Sequence, residues 1–202
     1  MEAKKYVSRG GIKLEHALKE FNVGVKGLTV LDVGSSTGGF VDCLLQHGAA
    51  KIYSLDTAYG ELAWKLRQDP RVVVLERENI LFLESLPGLA DLVTIDVSFT
   101  SLTKILPAIK KFLKSGTDFT LSEVERVKSN AKIIALLKPQ YEDQKLALKN
   151  HGVIPEESQK EIVGKIRNFA EENYYKVLGQ TNSPILGGNG NKEFFLYLRS
   201  TS

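Results

Sequence analysis

Cysteine is almost missing. The 202-residue chain has one, Cys43, so neither a disulfide framework nor a paired-thiol metal site can be built from it. Histidine is nearly as scarce: His16, His47 and His151 stand apart without ligand spacing and read as solvated or core side chains, so no metal centre is expected. No apolar run approaches the roughly 18 residues of a membrane-spanning helix, and the opening MEAKKYVSRGG has no apolar signal core. The chain reads as a soluble cytoplasmic protein with no membrane partner. Strong charge of one sign is lacking too, since a net +3 spread along the chain permits a nucleic-acid partner without requiring one. No repeat, low-complexity tract or linker divides the chain. With 43% hydrophobic and 25% charged residues it suits one globular domain, 1–202, with a sizeable core.

What is present is organised around Thr29 to Phe40, TVLDVGSSTGGF. Val30, Leu31 and Val33 favour a buried strand, and the small residues that follow make a tight turn into a helix with Val41, Leu44 and Leu45 on one face. Free amides at that helix start suit an anionic or polar ligand group, and Asp32, Ser35, Ser36 and Thr37 add side-chain partners. The spacing is neither the G-x-G-x-x-G of dinucleotide folds nor a P-loop.

Along the rest of the chain, strands alternate with helices. Ile12 to Phe21 reads as a short amphipathic helix, and Lys13 near its start is notable because a cation there is mildly unfavourable. Lys51 to Asp56 reads as a second strand ending in an acid about twenty residues past the loop, where a carboxylate can take ribose hydroxyls. A helix is expected over Tyr59 to Arg67, strands over Val72 to Leu75, Asp91 to Asp96 and Ile133 to Leu137, and helices over Thr103 to Leu113, with Pro107 inside, and Glu156 to Glu172. Tyr174 to Leu178 and Phe194 to Leu198 have only a glycine-rich connection between them and predict an antiparallel pair at the sheet edge. The segment Thr117 to Asn130 is polar and without strand periodicity, and LSEVERVK within it suits a short surface helix. The alternation predicts an α/β fold with a mostly parallel seven-stranded sheet. Ligands then bind at the carboxyl ends of the strands, where Asp32, Asp56, Asp96 and Lys138 lie.

The glycine-rich loop resembles the first motif of Rossmann-like S-adenosylmethionine methyltransferases, with Asp32, Gly34, Ser36 and Gly38 at alternate positions and Ser36 where the commonest version has glycine. Taken with YVSRGGIKL, AYGELAWKLRQDPRVVVLERENI, IDVSF, LLKPQYE and SPILGGNGNKEFF, in order over nearly the whole chain, it resembles the TlyA family. Those proteins carry the historical label hemolysin but look like FtsJ-type ribose 2′-O-methyltransferases acting on ribosomal RNA. The resemblance implies a class I methyltransferase fold with a C-terminal antiparallel hairpin, S-adenosyl-L-methionine as cofactor, and ribosomal RNA or ribosomal subunits as partner. It places a Lys, Asp, Lys, Glu tetrad on Lys13, Asp96, Lys138 and Glu193. It implies cofactor binding by Asp32, Gly34, Ser35, Ser36, Thr37, Gly38, Gly39 and Phe40, by Asp56 near the ribose, Asn79 near the adenine and Asp96 near the methionine part. The family usually opens with a small S4 RNA-binding domain, and no such domain is expected before Tyr6.

Methyl transfer to a ribose hydroxyl is an in-line displacement in which a weakly acidic alcohol loses its proton, so positioning and proton removal are the main tasks. Lys138 is the candidate to orient or deprotonate the hydroxyl. Desolvation or the neighbouring Lys13 favours its neutral form and the carboxylates its charged form, which leaves base and steering roles both open. Asp96 and Glu193 are expected to hold the two lysines, and Lys13 also suits a phosphate. Base amino-methylation would need an [ND]-P-P-[FY] turn, and the turn here is Asp96-Val97-Ser98-Phe99. A non-catalytic cofactor- or RNA-binding domain is the main alternative, and membrane lysis has little support from an alternating α/β chain.

Overall fold

The computed structural model describes residues 5–114 and 130–201. Seven strands form one sheet: β1 (Thr29–Val33), β2 (Lys51–Asp56), β3 (Val72–Glu76), β4 (Leu92–Ile95), β5 (Lys132–Leu137), β6 (Tyr175–Asn182) and β7 (Phe194–Ser200). Their order is β3-β2-β1-β4-β5-β7-β6. Strands β1 to β5 pair in parallel, whereas β7 is antiparallel to both β5 and β6. The expected edge hairpin is therefore present, with β7 inserted beside β5 and β6 outermost. Among the described residues the helices are α1 (Gly10–Glu20), α2 (Gly39–Gln46), α3 (Trp64–Arg67), α4 (Leu102–Ile109), α5 (Pro139–Glu142), α6 (Gln144–Lys149) and α7 (Glu156–Glu172).

The strands are apolar on both faces because both are covered. Val30, Ile52, Leu92, Ile134 and Phe195 pack under α1 and α2. Leu31, Val33, Val93, Ile95 and Ile133 point the other way, against Ile105, Leu106 and Ile109 of α4 and Val163 and Ile166 of α7. Cys43 lies fully buried in the first of these layers.

Two expected elements differ. The helix expected over Tyr59 to Arg67 begins only at Trp64. Gly60 adopts φ +78° and donates its N–H to Glu76 Oε1 at 2.9 Å, so this stretch becomes a loop laid over the end of β3. The helix expected over Thr103 to Leu113 is α-helical only to Ile109 and tightens into a 3-10 turn over Lys110–Phe112. Pro107 itself is accommodated within α4. Helices α5 and α6, directly after Lys138, were not anticipated. The surface helix expected at LSEVERVK lies outside the described residues.

Register fixes the location of the chemistry. Val33 pairs with Leu55 and with Ile95, Ile95 with Ala135, and Leu137 with Phe194. The carboxyl ends of β1, β2, β4 and β5 and the start of β7 therefore share one edge, which carries Asp56, Asp96, Lys138 and Glu193.

Candidate active site

The loop after β1 is tied down from two sides. Gly34 and Ser35 donate their backbone N–H groups to Leu55 O at 2.9 and 3.1 Å. Ser36, in the left-handed region at φ +45°, donates its N–H to Asp56 Oδ2 at 2.7 Å and its hydroxyl to Glu61 Oε2 at 3.0 Å. Two acceptors thus hold a serine in a conformation that glycine takes more readily. Asp56 Oδ1 accepts from Ala58 N at 2.8 Å, so this one carboxylate staples the ends of β1 and β2 together.

Asp32 lies beneath the loop, fully buried, with Oδ1 accepting from Thr94 Oγ1 at 2.6 Å and Oδ2 without a partner in the protein. Burial pushes its carboxyl up to about 7, against the hydrogen bond from Thr94. It reaches no cavity among those described; nor does Gly38, which packs on Leu62 and Leu66.

Lys13 arrives from α1. Gly39, at the start of α2, permits this: a Cβ there would lie 2.8 Å from Gly11 N, so only glycine lets the two helix starts meet. Lys13 Nζ donates to Glu193 Oε2 at 2.5 Å, with side-chain exposures of 12% and 2%. The cation that is unfavourable at a helix start is offset by this buried carboxylate. Gly187 serves the same pair, since a Cβ there would fall 1.9 Å from Glu193 Oε1.

The second pair faces the cleft. Lys138, the residue before α5, places Nζ 2.7 Å from Asp96 Oδ1 and donates to Ser98 Oγ at 3.2 Å. Four residues on, half-buried Glu142 accepts from Leu102 N at 3.0 Å and from Ser101 Oγ, and desolvation raises its carboxyl. This clamps the Lys138 loop to the start of α4, directly after the Asp96 turn.

Three adjoining cavities open along the strand ends. One of about 340 Å³ is lined by Gly34, Ser36, Asp56, Asn79, Asp96 and Ser98. A second, of about 270 Å³, shares Gly34, Ser36, Asp96 and Ser98 with it and adds Ser35, Thr37, Gly39, Phe40, Lys13 and Lys138. The third, about 400 Å³, shares Phe99 with the first and is walled by Tyr141 and Gln140. Asn79 Oδ1 caps a turn by accepting from Leu81 N at 3.0 Å. Phe40, although it borders the second cavity, is mostly committed to the core, where its ring stacks on Phe195 at 6.3 Å.

The four tetrad residues are brought together as two ion pairs, and all the loop positions except Asp32 and Gly38 border a cavity. Sequence reasoning missed Glu61, Ser98, Phe99, Gln140, Tyr141 and Glu142 as individual site residues. The last five lie inside the IDVSF, KPQYE segments already marked, so the signal was adjacency to Asp96 and Lys138. Among the described residues no cluster suited to a metal ion occurs, and no helix is long and apolar enough to cross a membrane.

Comparison with known proteins bears on the family and the fold. A family model described as FtsJ-like methyltransferase matches residues 6–200. The chain is 41% identical over 199 residues to the 16S/23S rRNA (cytidine-2′-O)-methyltransferase TlyA of Mycobacterium tuberculosis, covering 96% of this chain and 69% of that protein. The crystal structure of a proposed hemolysin from Lactococcus lactis superposes with a TM-score of 0.86 at 40% identity, covering 98% of this chain and 89% of that one. Magnesium protoporphyrin IX methyltransferase from Synechocystis with bound S-adenosylmethionine shares the fold, with a TM-score of 0.60 at 14% identity over 95% of this chain and 80% of that one. The chain spans between 66% and 76% of the length of the curated relatives it matches.

Proposed function

The chain belongs to the FtsJ-like methyltransferase family, and from that premise we propose that it transfers a methyl group from S-adenosylmethionine to a ribose 2′-hydroxyl of ribosomal RNA. The observation that carries this reading is the Lys138–Asp96 pair, 2.7 Å apart at the mouth of a cleft between a glycine-rich loop and an aromatic wall. A ribosomal subunit, rather than free nucleoside, is the substrate this family relationship favours.

The residues suit that cofactor. The cavity of about 340 Å³ is of small-molecule size and has Asp56 and Asn79 at one end, the acceptor chemistry that ribose hydroxyls and an adenine amino group require. Small side chains at Gly34 and Ser36 leave room beside Asp96. When bound, the cofactor supplies an electrophilic methyl on a sulfonium.

Asp96 holds Lys138 in place, and Lys138 donates to the 2′-oxygen and aims its lone pair along the line of displacement. The hydroxyl becomes strongly acidic only as the new C–O bond forms, so its proton leaves to water late in the step. Ser98, the other partner of Lys138, limits the directions its Nζ can take. The Lys13–Glu193 pair braces the opposite wall. This assigns Lys138 to steering and Asp96 to holding it.

The test is incubation of unmodified ribosomal subunits with the protein and labelled S-adenosylmethionine, followed by digestion to nucleosides. Label in a 2′-O-methylnucleoside is expected. Label on a base amino group would overturn the assignment, and cofactor binding without transfer to any RNA would favour the non-catalytic reading.

A further inference from the structure

We propose that Gln140 selects the base of the acceptor nucleotide, its amide carbonyl accepting from an exocyclic amino group at the position where uracil and guanine carry oxygen. This rests on the reading of the site as a ribose methyltransferase and adds to it the group that reads the base.

Gln140 stands two residues after Lys138, so a nucleotide whose 2′-hydroxyl meets Lys138 has its base beside α5. The cavity there, about 400 Å³, is large enough for one base. Its wall offers Phe99, which is 78% exposed and held at φ +63°, a conformation costly for an aromatic residue outside a functional setting. Phe99 rests on Tyr141, ring centroids 5.0 Å apart, and so presents a braced apolar surface to a stacked base.

Four side-chain amides line this cavity: Asn191 is bonded within the protein, Gln144 and Asn189 are exposed to solvent, and the fourth is Gln140. Asn191 accepts from Ile154 N at 3.0 Å and donates to Gly152 O and Gly188 O at 2.8 and 3.1 Å. Gln144 donates to Phe99 O at 3.3 Å. Gln140 is different: it is only 8% exposed, yet its Oε1 has no hydrogen-bond partner in the protein. A buried acceptor without a partner is costly and uncommon. Gln140 borders the cavity, and a half-turn of its terminal amide brings Oε1 to face a ligand there. The N4 amino group of cytosine or N6 of adenine provides the donor. Uracil O4 or guanine O6 in the same place would set acceptor against acceptor, and discrimination of this kind exceeds what shape alone provides.

The experiment maps the methylated nucleotide in unmodified ribosomal subunits, then compares initial transfer rates on subunits carrying cytidine or uridine there, for the unmodified protein and for Gln140→Leu. The mapped nucleotide is expected to be cytidine or adenosine. The unmodified protein is expected to favour cytidine over uridine by roughly tenfold to a hundredfold, and Gln140→Leu to bring the two to near parity by slowing the cytidine reaction. Cofactor affinity should not change, and the melting temperature of Gln140→Leu should hold or rise, because the lost oxygen had no partner. A mapped uridine or guanosine, an unchanged preference in the variant, or a lowered melting temperature showing a structural role would each overturn the assignment. Normal transfer with unchanged preference removes this proposal alone, whereas absence of transfer by the unmodified protein removes the methyltransferase reading and this proposal with it.

Discussion

Two lysine–carboxylate pairs face one another across the strand ends, and they are built differently. Lys13 and Glu193 come from α1 and the segment before β7, 180 residues apart, and the carboxylate is sealed from solvent at 2% exposure. Lys138 and Asp96 come from the ends of adjacent strands, and Asp96 keeps 21% of its side chain open to the cleft. A sealed charge must keep its partner or destabilise the fold, while an open one can exchange part of its pairing for a substrate. On the proposed mechanism, the same chemical pair braces in one place and acts in the other.

The sharpest way to break this comparison is Lys138→Ala. It should lower methyl transfer by about 10² to 10⁴-fold, in the range of a lost catalytic positioning group. Its unfolding free energy should stay within about 1 kcal/mol of the parent by chemical denaturation, since the abandoned Asp96 can hydrate. Lys13→Met should do the reverse in emphasis, costing roughly 3–5 kcal/mol of stability because Glu193 is left as an unpaired buried charge. Adding Glu193→Gln to that variant should recover part of the stability without recovering transfer. Equal stability losses from the two lysine substitutions would erase the distinction.

Asp32 sharpens the contrast as a buried carboxylate with no cation at all. Its carboxyl is pushed up to about 7 in the folded chain, from an ordinary value of 3.8, mainly by burial. The folded state thus holds the proton more tightly. Stability should decline as pH rises from about 4 to about 7, by up to roughly 4 kcal/mol, and level off above. Asp32→Asn should flatten that slope in denaturation measured from pH 4 to 8. The smallest effect is expected at half-buried Asp56: Asp56→Ala should weaken cofactor binding about tenfold by calorimetry, through loss of the staple to Ser36 and Ala58.

Legibility followed how local the determinants are. β2 and α7 begin and end where their apolar patterns do, because Ile52, Tyr53 and Leu55, or Ile162, Val163 and Ile166, decide burial within the element itself. The stretch from Tyr59 to Ala63 misled because its loop conformation depends on Glu76, on another strand. In the site, strand-end acids were visible as endings of apolar runs. The choice of partners was not: nothing near Lys13 announces Glu193, and only glycines at positions 39 and 187 let the two meet. Ser36 looked like a departure from the glycine pattern, yet Asp56 and Glu61 hold it in the required backbone region. Gln140 and Glu142 carried no signal of their own beyond lying next to Lys138.

Lys138 is proposed to work on the acceptor hydroxyl, with the cofactor held in the adjoining cavity lined by Gly34, Ser36, Asp56 and Asn79. The most direct test is labelled methyl transfer to unmodified ribosomal subunits by the protein and by Lys138→Ala, with S-adenosylmethionine binding to each measured in parallel. Ribose 2′-O-methylation by the parent, lost in the variant while cofactor affinity is retained, is the predicted result. Undiminished transfer by Lys138→Ala would contradict it.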